Sequence, residues 1–433
     1  MGPFRGFDWA KGNGNSVALE GLTARLGDRV VRNVVVLYGR EVANRFLPFV
    51  ALPYLARVLG PDAYGSVLMS QSLGVWLAIL VEYGFSLSAT RDIAASEGDT
   101  KSEADIIRAV LGARTLLFAI AVIMAIPAWL AVSEFRTTPS LVTWALLYAA
   151  GQGFDPFWYY QGKEFPGLAV TIQMSFRALA TVGQFLAVRG PEDAVLVPAL
   201  NALAVCASTL LSHVWMYRSA PFLKPTYHLA RLALRKGRPI FIFRGAVALY
   251  TSINPVLLGA FVPSSSVAMF AGAEKIARGM LGLVNPMAQA VYPRLAALAV
   301  RDMDHARALH RLSFALTLGV GLALGVFVAA GAPRIIVLLF GVEYVNAIPV
   351  LRILSGLIPA VAISNALGIQ WMLPLRLDRE FTAIIASAGL LNLLLAPLLA
   401  VKFGPGGMAA AAVVAEAYVA LAMGVVLFAR RLW

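Results

Sequence analysis

The chain has 433 residues, 59% of them hydrophobic and 14% charged, with 36 Lys and Arg against 23 Asp and Glu for a formal net charge of +13. A water-soluble chain carries about 45–50% apolar and about 25% charged residues, so this composition excludes a soluble enzyme and a nucleic-acid-binding domain; the basic excess reads instead as cytoplasmic loops beside anionic lipid. Apolar runs of about 20 residues, each able to cross a ~30 Å hydrocarbon layer, recur from about residue 34 to the C-terminus, which predicts an all-α polytopic membrane protein of about 12 transmembrane helices.

Residues 1–33 are polar and rich in glycine (Gly12, Gly14, Gly21), and no small-residue cleavage site follows the first apolar run. They read as a flexible cytoplasmic tail and not as a signal peptide. Span 1, near residue 46, holds Arg40, Glu41 and Arg45. Glu41 and Arg45 are four residues apart and neutralise each other along one helix face. Span 2, near residue 76, holds the isolated acid Glu82. Arg114, in span 3 near residue 121, is within about a turn and a half of the cytoplasmic end and can snorkel, as can Arg244 in span 7. Span 4, near 150, ends at Pro156; span 5, near 178, carries Arg177; span 6, near 205, carries Cys206. With one cysteine there is no intrachain disulfide and no thiolate metal site, and the four histidines (His213, His228, His305, His310) form no zinc-binding pair.

A basic stretch over residues 219–238 then separates six spans from six more, near 250, 280, 325, 360, 391 and 418. Counted by face, 23 basic residues lie on the side of the tail and this stretch. Only five (Arg57, Arg136, Arg189, Arg334, Lys402) lie on the other, and eight fall within spans. By the positive-inside rule both termini are cytoplasmic. The expected organisation is a tail (1–33), a six-helix lobe (34–218), a basic cytoplasmic linker (219–238) and a second six-helix lobe (239–433). Six being even, the lobes enter the membrane in the same sense, as parallel repeats do. Arg91 and Arg108 are echoed by Arg294 and Arg311 at an offset of 203.

An ionised side chain at the bilayer centre costs about 2.5–3.5 kcal/mol on insertion scales, so charges deep in a span need a partner or a wet cavity. The segment AGAEKIARG (271–279) in span 8 places Glu274, Lys275 and Arg278 about 12–18 Å along that helix, near the midplane. Glu274 and Arg278 share a face, with Lys275 about 100° around it. The net positive charge grows if Arg177 and Arg40 face the same lumen. Glu82 and Glu416 are the isolated acids, each open to two roles: carrying a coupling H+ or Na+, or pairing with an arginine. A cationic lumen suits an anionic cargo, phosphate above all. Two charges leaving a negative-inside cell across the full field gain about 4.6 kcal/mol per 100 mV. Pro156, Pro255, Pro286 and Pro359 mark kinks or hinges.

The wording LGPDAYG (59–65), EYGFSLSATRDIA (82–94), DPFWYYQG (155–162), AGAEKIARG (271–279) and NPMAQAVYPRL (285–295) resembles the bacterial polysaccharide transporter family. This family comprises the Wzx-type O-antigen and exopolysaccharide flippases of the multidrug/oligosaccharidyl-lipid/polysaccharide exporter (MOP) superfamily. The resemblance implies two six-helix lobes around a central cavity in the inner membrane. It implies a flippase and no enzyme, without catalytic residues, bound metal or cofactor. The cargo would be undecaprenyl-diphosphate-linked oligosaccharide, moved by alternating access from the cytoplasmic to the periplasmic leaflet for surface polysaccharide synthesis. The polysaccharide polymerase and chain-length machinery would be its partners. Among the site residues, Glu274, Lys275 and Arg278 stand in a matching segment, whereas Arg40 and Arg177 rest on depth alone. Tyr64, Tyr83, Trp158, Tyr159 and Tyr160 lie near span ends, where an interfacial aromatic belt is the expectation and stacking on sugars the alternative. Other readings are a lipid II flippase, which usually has fourteen spans, and a cation-coupled drug exporter, which needs a more acidic lumen. A polysaccharide polymerase or ligase would need a large external loop.

Overall fold

Backbone N–H and C=O groups find no water in hydrocarbon, so a spanning chain bonds them within helices. The computed structural model describes the backbone of residues 16–96 and 98–432. It describes side chains from residue 49 on, apart from those at 97, 239, 243, 246, 249, 250, 285, 286, 289, 290 and 433. Among the described residues every regular element is helical. In the first half these are α1 (Ser16–Glu82), α2 (Phe85–Ala95), α3 (Thr100–Ala131), α4 (Ser133–Thr137), α5 (Ser140–Gly153), α6 (Phe157–Gly162), α7 (Pro166–Ala187) and α8 (Leu196–Ser219). The second half has α9 (Tyr227–Thr251), α10 (Asn254–Gly259), α11 (Ser264–Arg301), α12 (Met303–Leu339), α13 (Ala347–Ser355), α14 (Leu357–Leu367) and α15 (Asp378–Ala429). A π-helical turn, Gly368–Met372, follows α14.

At 1.5 Å per residue α1 and α15 would run about 100 Å and about 78 Å, more than twice the hydrocarbon thickness. Each is in fact two helices joined at a glycine of positive φ, Gly60 (69°) and Gly404 (57°). Pro61 and Pro405 follow. A left-handed residue stops one helix, and proline, needing no N–H bond, starts the next. Six stretches are long and apolar enough to cross a membrane: Phe49–Ala95, Thr100–Ala131, Pro191–Ser219, Met303–Leu339, Ala347–Met372 and Asp378–Ala429. The remaining expected centres, near 46, 150, 178, 250 and 280, fall on α1, α5, α7, α9 and α11, helices that bear polar or charged side chains. α9 begins inside the basic stretch 219–238 and runs on past it without a break. Residues 1–15 of the expected tail lie outside the described residues.

The buried apolar side chains form three cores. One joins both halves: Leu55, Leu59 and Tyr64 of α1 pack in the same cluster as Val267 and Phe270 of α11, Phe340 and Tyr344. The Tyr344 hydroxyl donates to the Ala56 carbonyl at 3.1 Å, and Arg57 donates to the Leu338 carbonyl. This is the end of the bundle assigned to the sparsely basic faces. At the basic end the cores are separate. Phe85, Ile93, Ile107, Trp158 and Met216 pack in the first half; Leu295, Trp371, Phe381, Val419 and Leu427 pack in the second. The bundle is therefore knitted by one shared core at one end, whereas at the other α9 bridges two cores, giving Ala230 to the first-half core and pairing its Arg244 with Glu82.

Candidate functional site

Side chains four residues apart share a helix face, and three helices of the first half turn such a face inward. α7 presents Gln173, Arg177, Thr181 and Gln184; α8 presents Asn201, Val205 and Ser208; α5 presents Trp144, Tyr148 and Gln152. With Tyr64 and Gln71 of α1 they enclose a cavity of about 370 Å³.

Lys275 closes the wall from the second half of the chain. It lies 11 residues into α11, about 17 Å from the helix start. Its Nζ donates to Gln71 Oε1 at 3.2 Å and sits 5.9 Å from the centroid of the buried Tyr64 ring, within cation–π range. Arg177 lines the same cavity from α7. The structure thus brings together two of the expected cations, one from each half.

One acid shares the wall. α5 ends before Asp155-Pro156 because the residue preceding proline is pushed out of helical geometry. Asp155 Oδ1 accepts from the Phe157 N–H at 3.1 Å, Oδ2 accepts from Gln173 Nε2 at 2.7 Å, and its carbonyl accepts from Arg114 Nη1 at 2.9 Å. Arg114 is only 3% exposed and lies 5.7 Å over the Phe85 ring. The expectation that it snorkels to the surface is therefore corrected: the helix break supplies a carbonyl that holds it inside.

Of the three charges of span 8, Lys275 lines the cavity, while Glu274, within electrostatic reach of Lys275, pairs with Arg278 at 2.8 and 3.0 Å. Across from them Glu416, 6% exposed, accepts from Ser364 Oγ at 2.5 Å and lies within electrostatic reach of Arg278. Glu82 is placed elsewhere again. It pairs with Arg244 of α9 at 2.6 Å and accepts the N–H groups of Gly84 (3.0 Å) and Ser86 (2.7 Å), capping α2. It is not isolated, and Arg244 is bound to it rather than freely snorkelling. Arg40, like Glu41 and Arg45, lies outside the residues whose side chains are described.

The aromatic belt is also corrected. Tyr64, Trp158, Tyr159 and Tyr160 are 2–5% exposed. The last three fill the first-half core, with the Tyr160 hydroxyl donating to the Ser212 carbonyl at 2.5 Å. Tyr83 stacks on Phe241 at 4.2 Å. Pro156 folds this run back into the bundle as the short α6, so residues near a span end in sequence are interior in space.

Asp155 and the amides of Gln71, Gln152, Gln173, Gln184 and Asn201 were not among the residues singled out from the sequence. The signal for them was present: uncharged polar residues recur at helical spacing inside apolar runs, as in Gln173, Arg177, Thr181 and Gln184.

The model of a family described as polysaccharide biosynthesis protein matches residues 30–299. A protein of Escherichia coli named as an O-antigen transporter is 30% identical over 368 residues, covering 84% of this chain and 88% of its own. One of Shigella dysenteriae with the same name is 25% identical over 400 residues, covering 90% and 98%. Two solved structures share the fold. The lipid II flippase MurJ in an inward closed conformation has a TM-score of 0.73 at 14% identity, over 93% of this chain and 87% of its own. An inward-facing multidrug resistance MATE transporter of the MOP superfamily has a TM-score of 0.68 at 15% identity, over 89% and 97%.

Proposed function

The chain belongs to the polysaccharide biosynthesis protein family, as a multi-pass inner-membrane transporter with the MOP-superfamily fold; from that premise we propose that it flips undecaprenyl-diphosphate-linked oligosaccharide repeat units to the periplasmic leaflet. The observation that carries this reading is the pair of cations, Lys275 and Arg177, lining one cavity from opposite halves. A diphosphate diester bears two negative charges, and charge-assisted bonds from one Lys and one Arg match them. Because the cations belong to different halves, binding the anion links the halves, as alternating access about a central site requires.

In this reading H+ or Na+ coupling falls to the acids of the second half, Glu416 and Glu274, while Glu82 holds Arg244 and shapes the α1–α2 turn. Anionic lipids meet the basic loops, and the polymerase and chain-length machinery receive the product.

The test is genetic and biochemical together. Deleting the gene leaves lipid-linked repeat units made but unpolymerised on the cytoplasmic leaflet, and the wild-type gene restores surface polysaccharide. Lys275→Ala and Arg177→Ala, inserted at normal levels, restore it at least about tenfold more slowly, the expected loss for a buried charge–phosphate contact. Normal surface polysaccharide in the deletion strain overturns the reading.

A further inference from the structure

Away from the central cavity, a second pocket of about 170 Å³ lies at the basic end of the bundle. Three helices meet there: α2 and the first turns of α3 from the first half, and the start of α9 from the second. The pocket has an apolar floor, with Phe85, Ala89 and Val110 only 1–4% exposed. Leu232, 45% exposed, carries the apolar lining out to the surface. The charged side chains of the wall are Asp92, Asp105 and Lys236. They are loosely held. Lys236 Nζ lies 3.4 Å from Asp92 Oδ2, and Arg91 lies 3.5 Å from Oδ1, both longer than the ~2.7–2.9 Å of a well-formed charge-assisted bond. Asp105 pairs at 2.7 Å with Arg108 of its own helix, which leaves acceptor sites on its carboxylate for other donors. The Lys236 side chain is 54% exposed, so its contact with Asp92 contributes little and is open to exchange.

Two carboxylates and one ammonium around an apolar floor match a ligand with the complementary groups, a primary ammonium and a phosphate on an apolar stem. We infer that this groove holds the head group of phosphatidylethanolamine from the surrounding bilayer. The lipid ammonium takes the place of Lys236 at Asp92 and donates to Asp105 as well, while Lys236 turns to the phosphate. The glycerol stem rests on the apolar floor, and the acyl chains leave past Leu232. Depth agrees with this placement: α3 enters the membrane from this end, so its first turns stand at head-group level. Size agrees too, because about 170 Å³ is below the ~300–1,000 Å³ of sites for whole small molecules and admits a head group alone. The wall sets two negative charges against one positive, which disfavours the anionic phosphatidylglycerol. Phosphatidylcholine brings a bulkier head with no N–H for the carboxylates. This inference rests on the membrane placement of the chain and not on its cargo. Because α9 belongs to the second half, a lipid seated here ties the two halves together at the cytoplasmic end.

The experiment uses the full-length protein in detergent and three lipids of identical acyl chains: phosphatidylethanolamine, phosphatidylglycerol and phosphatidylcholine. Their retention is titrated by native mass spectrometry. One phosphatidylethanolamine binds about tenfold more tightly than either other lipid, the worth of one charge-assisted hydrogen bond. Asp92→Asn combined with Asp105→Asn removes that preference, and Lys236→Met weakens phosphatidylethanolamine several-fold. Ala233→Phe fills the groove while keeping its charges, and abolishes the preferred binding. It carries the test if the double variant lowers the unfolding temperature of the lipid-free protein. Equal retention of the three lipids overturns the site, as does a preference that survives both the double variant and Ala233→Phe. Tighter binding of phosphatidylglycerol shows the groove to be an extension of the basic face and overturns the assignment equally. None of these outcomes bears on the flippase reading, which is scored by surface polysaccharide.

Discussion

Adjacent residues on α11 serve different halves of the protein. Lys275 reaches the first-half cavity, while Glu274 pairs with Arg278 on another face. Their depth in the membrane is legible from the spacing of the segment; the surface each side chain meets depends on neighbours supplied by α1 and α15, distant in sequence. The division has a measurable consequence. Arg278→Ala leaves the 5%-exposed Glu274 without its partner and destabilises the protein by about 1–3 kcal/mol, toward the lower figure because the Arg278 side chain keeps 32% exposure. Adding Glu274→Ala restores most of that loss, whereas Lys275→Ala, which strands no acid, leaves stability nearly unchanged. Thermal unfolding of the purified variants as a double-mutant cycle checks this; a double variant no more stable than Arg278→Ala would disprove it.

Among the elements, the breaks decide more than the helices do. Gly60-Pro61 and Gly404-Pro405 each divide one long helical stretch in two, and Asp155-Pro156 ends α5 and opens the turn that holds Arg114. Proline and glycine act locally, so these breaks are readable from the chain. The fate of Trp158, Tyr159 and Tyr160 is not, because amphipathic rings near a span end satisfy an interface and a core equally well. The glycine requirement is testable: at φ 69° and ψ 172° Gly60 occupies a backbone region essentially restricted to glycine, and Gly60→Ala costs about 1–3 kcal/mol. The loss should show as a lower unfolding temperature, with Gly167→Ala, in open space within α7, as the neutral control.

For the whole molecule, the closure of one end rests on backbone approach. A Cβ placed on Gly65 of α1 would overlap the Ser264 carbonyl that begins α11, so the halves meet there only because position 65 has no side chain. Gly65→Leu therefore wedges that end apart and shifts the population away from the closed arrangement. In a Cys206→Ala background, a cysteine at position 275 should react with a membrane-impermeant maleimide from the periplasmic side several-fold faster once Gly65→Leu is present. Equal labelling rates would show that this contact does not seal the cavity.

From the sequence alone follow the membrane class, the helical content, the break at Asp155-Pro156 and the family, whereas position 286, marked as a kink, stands inside the continuous α11. Each depends on composition or on neighbours along the chain: hydrocarbon forces internal hydrogen bonding, and proline and glycine act where they stand. The net charge of +13 reads chiefly as loops at one end, with few cations within spans. Which of those cations share a cavity was decided only by tertiary structure. Helix rotation and packing set Lys275 against Gln71 and Glu82 against Arg244. They also turned a row of amides inward, and no periodicity within one helix specifies which neighbour its polar face will meet.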